Sequence, residues 1–189
     1  VLANATNIMA EGEALQLLQR GNPETTEGGY LNIIRSKTAK LFEASAQVGA
    51  ILGNADSALE LALTQFGMHL GTAFQLIDDV LDYEASPTET GKKLGNDLAE
   101  GKVTLPLIYL LQNGNKKDTR LVEEAIRKNE SQHLPLIQKM IQESGALDYT
   151  RNFAKVESNR AKKALEKLSS SAYRDAAYAL TDFAIHRNH

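Results

Sequence analysis

Along most of this chain apolar residues return every three or four positions, the period of a helix buried on one side. Leu2, Ala5, Ile8, Met9, Leu15 and Leu18 keep that period until Gly21, Asn22 and Pro23 end a first helix. Thr25 and Thr26 are both able to cap the next. Its stripe of Tyr30, Ile33, Ile34, Thr38, Leu41, Phe42 and Ala46 runs to near Gly53, with a kink expected about Ser36. Asn54 and Asp56 open a long segment, Ala55 to about Tyr83, whose length predicts a central, buried helix. Between Glu84 and Gly101 the period disappears, and Pro87, Gly91, Gly95 and Gly101 predict a loop. Further helices are predicted at 103–112, 118–129, 134–143, 146–168 and 172–187, separated by Asn113–Gly114, Ser144–Gly145 and Ser169–Ser171. No segment alternates as a strand does, and the short connections suit antiparallel neighbours, so the expected fold is an all-α bundle.

The long helix ends in FQLIDDVLDY, Phe74 to Tyr83, where acids interrupt an apolar pattern. At roughly 3.6 residues per turn, Gln75, Asp78, Asp79 and Asp82 stand at i, i+3, i+4 and i+7 and share one face. No lysine or arginine lies within a turn of them, while Leu76, Ile77, Val80 and Leu81 hold the helix to a core. Carboxylates so crowded raise one another's pKa unless a cation from elsewhere compensates. Mg²⁺ suits the need, since it takes oxygen ligands from one or two carboxylates together with water and substrate phosphates. A solvated acidic face, or acids paired with distant lysines, would give the same pattern.

Composition narrows the field. The 189 residues are 42% hydrophobic, enough for one domain with a sizeable core. A net charge of −3 lacks the basic excess of a nucleic-acid binder, and no nucleic-acid partner is expected. There is no cysteine, which suits a cytoplasmic location, and four scattered histidines offer no zinc site. The longest apolar run, Val103 to Leu111, contains Pro106 and falls far short of the roughly 20 residues that span a bilayer. A soluble protein is expected. The chain starts without methionine, and its first residues carry no basic leader and read as the middle of a helix, so a fragment is expected.

Two further stretches carry cations. SKTAKLF, Ser36 to Phe42, sets Lys37 beside Thr38 in a mostly apolar helix, a point charge and a hydroxyl donor suited to phosphate oxygens. An ordinary lysine snorkelling along the helix surface would look the same. GKKLGNDLAEGKVTLP, Gly91 to Pro106, combines glycines that let backbone approach a ligand with Lys92, Lys93 and Lys102. A flexible solvated loop is its plain alternative. It is not a Walker loop, because five residues separate Gly95 from Gly101 and Val103 stands where Ser or Thr is required.

In order, SKTAKLF, FQLIDDVLDY and GKKLGNDLAEGKVTLPLI resemble the second half of the trans-polyprenyl diphosphate synthases. EGEALQL, Glu11 to Leu17, and the closing segment with Arg174, Ala176, Leu180, Phe183 and Arg187 resemble the longer-chain bacterial members, those with an octaprenyl product above all. The resemblance covers nearly the whole chain. It implies a helix bundle of isoprenoid synthase type around a deep cavity. It also implies Mg²⁺-assisted condensation of an allylic diphosphate with isopentenyl diphosphate into a long all-trans chain, for quinone side chains. Asp78, Asp79 and Asp82 would be the second aspartate-rich motif and bind metal, Asp78 most directly. Lys37, Thr38 and Lys92 would contact the allylic diphosphate, with Gln75 beside it and Phe74 near the isopentenyl group. Lys37, Lys92 and Asp78 would carry the catalysis. Lys102 would contact diphosphate or an aspartate, while Asp97 and Lys93 would be structural or peripheral.

The family has two aspartate-rich motifs and this chain has one. By that resemblance residues 1–189 are the C-terminal part of a single synthase domain whose N-terminal helices are missing. The 189 residues alone are expected to be inactive or nearly so. The full-length protein is expected to be a homodimer, with peripheral membrane contact for product release. A non-catalytic helical partner of a prenyl synthase and a terpene cyclase are the alternative readings.

Overall fold

The computed structural model describes residues 1–84, 95–128 and 131–187. Every regular element among them is helical, as the periodicity predicts. Helix α1 (Leu2–Gln19) ends at Arg20 in extended backbone, and Gly21 turns the chain with φ +70°, a conformation that costs glycine nothing. Of the two threonines that follow, Thr26 caps α2 (Glu27–Ile34), its hydroxyl accepting from Gly29 N at 3.1 Å. Thr25 turns inward instead and donates to Asn22 O.

The kink expected about Ser36 is a π-helical turn, Arg35–Ala39, after which α3 (Lys40–Leu52) continues. Helix α4 (Ser57–Glu84) has 28 residues. It is about 42 Å long. Asp56 Oδ1 caps it by accepting from Leu59 N at 2.8 Å. Then come α5 (Asn96–Ala99), α6 (Leu105–Asn113), α7 (Lys116–Lys128) and α8 (Leu134–Glu143). Helices α9 (Ala146–Leu165) and α10 (Ala172–His186) complete the bundle. Helix α5 forms within the stretch expected to be loop, and three starts differ from expectation, α4 beginning at Ser57 rather than Ala55. Val103 and Thr104 stay extended, so α6 begins near Pro106. The Asn115 side chain accepts from Lys117 N and Asp118 N and starts α7 earlier than Asp118.

Helix α4 is the axis, with α3 along one side and α9 along the other. The contact with α3 and the π turn before it is close because glycine faces both: a Cβ on Gly67 would stand 2.4 Å from Phe42 O of α3, and one on Gly71 2.6 Å from Ala39 Cα of the turn. Toward the C-terminal end of α4, Leu76, Ile77, Val80 and Tyr83 meet Tyr30, Leu98, Leu105, Ile108, Ile126, Ile137 and Ile141 in the larger core. A smaller core joins Phe66 and Leu70 of α4 to Ala161, Leu165 and Ala184. Large apolar side chains stay exposed on α1, α3 and α10, among them Leu18, Leu52, Tyr173 and Phe183. Among the described residues no helix is long and apolar enough to cross a membrane.

The Glu157 side chain lies wholly inside. Burial would raise the Glu157 pKa, but hydrogen bonding to His69 and the charges of His69, Arg35 and Arg160 outweigh it and hold the carboxyl below its ordinary value. A depressed carboxylate pKa adds stability that is present above the unfolded-state value and lost as pH falls through the folded-state value. The urea midpoint should therefore fall more steeply on acidification below the ordinary glutamate range in the wild type than in Glu157→Gln. Equal slopes would show that Glu157 does not carry this term.

Candidate functional site

The C-terminal half of α4, the end of α1, α2 with its π turn, and the stretch from Asp97 to Thr104 enclose a cavity of about 220 Å³. Gln16, Arg20, Lys37, Thr38, Gln75, Asp78, Asp79, Asp97 and Lys102 supply its polar wall. Residues from four separate stretches of sequence thus meet at one place.

The three aspartates expected on one face do three different things. Asp79 points into the protein and is 2% exposed. Its Oδ2 accepts from Tyr30 OH at 2.5 Å and its Oδ1 from Gln75 Nε2 at 2.8 Å. Burial and the negative charge of Asp97 push its carboxyl well above the usual range, against the pull of these two hydrogen bonds. Asp78, with a side chain 50% exposed, looks into the cavity, and Arg187 Nη2 stands 3.4 Å from its Oδ1. Asp82 turns toward α5. Its carboxylate accepts from Asn96 N at 3.2 Å and Asp97 N at 3.0 Å, and its carbonyl accepts from Gly95 N at 2.8 Å. Burial and Asp97 raise the Asp82 carboxyl to about 6, opposed by those backbone donors.

Thr38 Oγ1 donates to Gln75 Oε1 at 2.9 Å, so Thr38, Gln75, Asp79 and Tyr30 form one chain of hydrogen bonds along the wall. Lys37 Nζ lies 2.6 Å from both Glu13 Oε2 and Gln16 Oε1. Burial would lower the Lys102 pKa, but Glu100 at 2.9 Å and Asp97 at 3.0 Å hold it above its ordinary value. Phe74 packs on Phe42 with ring centres 5.4 Å apart, and the Arg187 guanidinium sits 3.7 Å above its ring. Lys92, Lys93 and Gly91 lie outside the described residues.

Sequence patterning gives several wall residues no part in binding. Tyr30 counted as part of an apolar stripe, although a buried tyrosine hydroxyl needs a partner, and that need was the available signal. Asp97, expected to be structural or peripheral, lies on the cavity wall and bonds Lys102. The absence of a cation within a turn of the aspartates is made up by Arg187, 109 residues from Asp78 in sequence. No local pattern signals that pairing.

Among the described residues no three of His, Cys, Asp and Glu stand together as a self-sufficient metal cage. The donor set still fits Mg²⁺, which keeps water and phosphate oxygens and asks little more than the open Asp78 carboxylate. Asp79 already has hydrogen bonds on both oxygens, and Asp82 is engaged by backbone.

The polyprenyl synthetase family model matches residues 1–144. The chain is 43% identical over 190 residues to octaprenyl diphosphate synthase of Haemophilus influenzae, covering all of this chain and 58% of that protein. It is 44% identical over 179 residues to the geranyl-diphosphate-specific all-trans-nonaprenyl-diphosphate synthase of Rhodobacter capsulatus, covering 95% of this chain and 55% of that one. Its fold superposes on polyprenyl synthase of Caulobacter crescentus CB15, solved with calcium and isoprenyl diphosphate, with a TM-score of 0.94 and 38% identity. That match covers all of this chain and 58% of the other. This chain therefore spans a little over half the length of the relatives it matches, and it belongs to the polyprenyl synthetase family.

Proposed function

We propose that these residues form part of a prenyltransferase domain that condenses an allylic diphosphate with isopentenyl diphosphate into a long all-trans polyprenyl diphosphate. The observation that carries the reading is one cavity wall holding Lys37, Thr38, Gln75 and the open carboxylate of Asp78 together. Lys37 offers a point charge and Thr38 a hydroxyl to the oxygens of an allylic diphosphate, and Lys102 is a third group on the same wall. When bound, Mg²⁺ would neutralise charge on the departing diphosphate, with Asp78 the protein ligand best placed to hold it. Asp79 and Asp82 complete the proposed acidic motif, Lys92 is proposed as a further diphosphate contact, and Phe74 as the neighbour of the isopentenyl group.

Breaking the allylic C–O bond leaves a carbocation and puts growing negative charge on the diphosphate. Groups aimed at that charge lower the barrier, because the charge is larger in the transition state than in the bound substrate. The alkene of isopentenyl diphosphate then attacks the cation, and the released diphosphate is the acceptor for the proton lost from the adduct. Tyr30 and Asp79 act one step back, holding Gln75 against Thr38. Apolar walls below the acids would keep water from the cation. Assembly as a homodimer and contact with a membrane during product release accompany this reading.

The test is an assay of the full-length protein with an allylic diphosphate and labelled isopentenyl diphosphate, with and without magnesium. Magnesium-dependent elongated product is expected, and little or none from the 189 residues alone. A cyclised product formed without isopentenyl diphosphate would replace this reading with that of a cyclase.

A further inference from the structure

Three helices grip the π turn that carries Lys37 and Thr38. From α1, Gly12 lies so close that a Cβ there would stand 2.7 Å from Lys37 N. From α4, Gly71 abuts Ala39. The third grip comes from α9 and plays no part in the chemistry above. Glu157 has a side chain with 0% exposure, its Oε2 lies 2.5 Å from His69 Nδ1 of α4, and its Oε1 accepts from Arg160 Nη1 at 2.8 Å. The same Oε1 faces Arg35 Nη2, the first residue of the π turn, at 3.4 Å.

A carboxylate in that position is costly, since well-packed apolar side chains commonly replace buried ion pairs without loss of stability. The π turn is itself a rare arrangement that owes its persistence to outside contacts. It holds one residue more than an α turn. Resolving it into regular helix would rotate the side chains on one side of it by about 100° relative to those on the other. Thr38 would then lose Gln75, and Lys37 would leave the cavity wall.

We propose that Glu157 is a positioning residue: by fixing Arg35 between α4 and α9 it sets the register of the π turn, and so aims Lys37 Nζ and Thr38 Oγ1 at the cavity. The proposal rests on the diphosphate reading of that cavity for its functional consequence, but not for its structural part.

Two measurements on the full-length protein separate those parts. Amide hydrogen exchange follows residues 36–40 without any ligand, and calorimetry follows the affinity for inorganic pyrophosphate with magnesium. Glu157→Gln should raise exchange in the π turn by about tenfold while α6 and α8 keep their protection, and should weaken pyrophosphate binding by a similar factor, the size of one well-coupled contact. Adding Glu157→Gln to Thr38→Ala should cost less than it costs the wild type, because one of the two groups it aims is already gone. Arg35→Met leaves Glu157 paired with His69 and Arg160, and carries the same test if Glu157→Gln fails to fold. Unchanged exchange in a folded variant, or a fully additive loss of affinity, would overturn the proposal. If the wild type does not bind magnesium pyrophosphate, the diphosphate reading fails, and exchange alone decides whether Glu157 sets the turn.

Discussion

Asp78→Ala in the full-length protein should lower kcat by roughly a hundredfold or more, the scale on which removal of one charge-stabilising group acts. Stability should change little. The Asp78 side chain is half exposed, so its loss opens no core, and Arg187, its partner at 3.4 Å, keeps the Phe74 carbonyl as an acceptor at 3.0 Å. A long pair with its acid half in solvent contributes little to folding. The two effects together distinguish Asp78 from its neighbour Asp79, whose removal would leave Tyr30 OH and Gln75 Nε2 without their acceptor inside the protein. Steady-state kinetics over a magnesium titration, beside thermal melts, make the comparison. Near-normal turnover in Asp78→Ala would remove it from the metal site.

Gly67→Ala should destabilise the protein by roughly 1–3 kcal/mol, the usual range for overpacking a tight contact. The added Cβ would meet backbone rather than a movable side chain: Phe42 O at 2.4 Å, Phe42 C at 2.7 Å and Glu43 Cα at 2.8 Å. Helices α3 and α4 would have to part, loosening the Phe42–Phe74 ring contact on the way. Gly49→Ala is the control. It sits on the exposed side of α3 with nothing within 4 Å, so it should stabilise by about 0.5–1 kcal/mol through helix propensity alone. Urea unfolding of both variants checks the pair. Equal and favourable shifts would mean that the close approach of α3 and α4 is not maintained in solution.

The helices could be read in the sequence because each has a core face of its own. Leu76, Ile77 and Val80 mark the buried side of α4 in the sequence and in the fold alike, whereas Leu81, expected with them, is only partly buried and Tyr83 is buried in full. The kink was legible too, but its nature was not. A π turn adds a single residue to the period, which a stripe of seven apolar positions is too coarse to register. The aspartates show a second limit. Periodicity fixes the direction in which Asp78, Asp79 and Asp82 leave the helix, but it says nothing of what is packed there. Tyr30, Arg187 and the amides of Asn96 and Asp97 come from other elements and draw the three acids apart. Which of Thr25 and Thr26 capped α2 turned on the tight turn before them, where Thr25 was needed to satisfy Asn22 O.

The hydrogen bonds that Asp82 makes to Gly95, Asn96 and Asp97 have a consequence for how this protein can vary. They tie the start of α5 to the end of α4, so that Gly95 stands against the last turn of the long helix. A substitution that shifts either partner moves the other with it, so Asp97 and Lys102 hold their places on the cavity wall only while this clasp is kept.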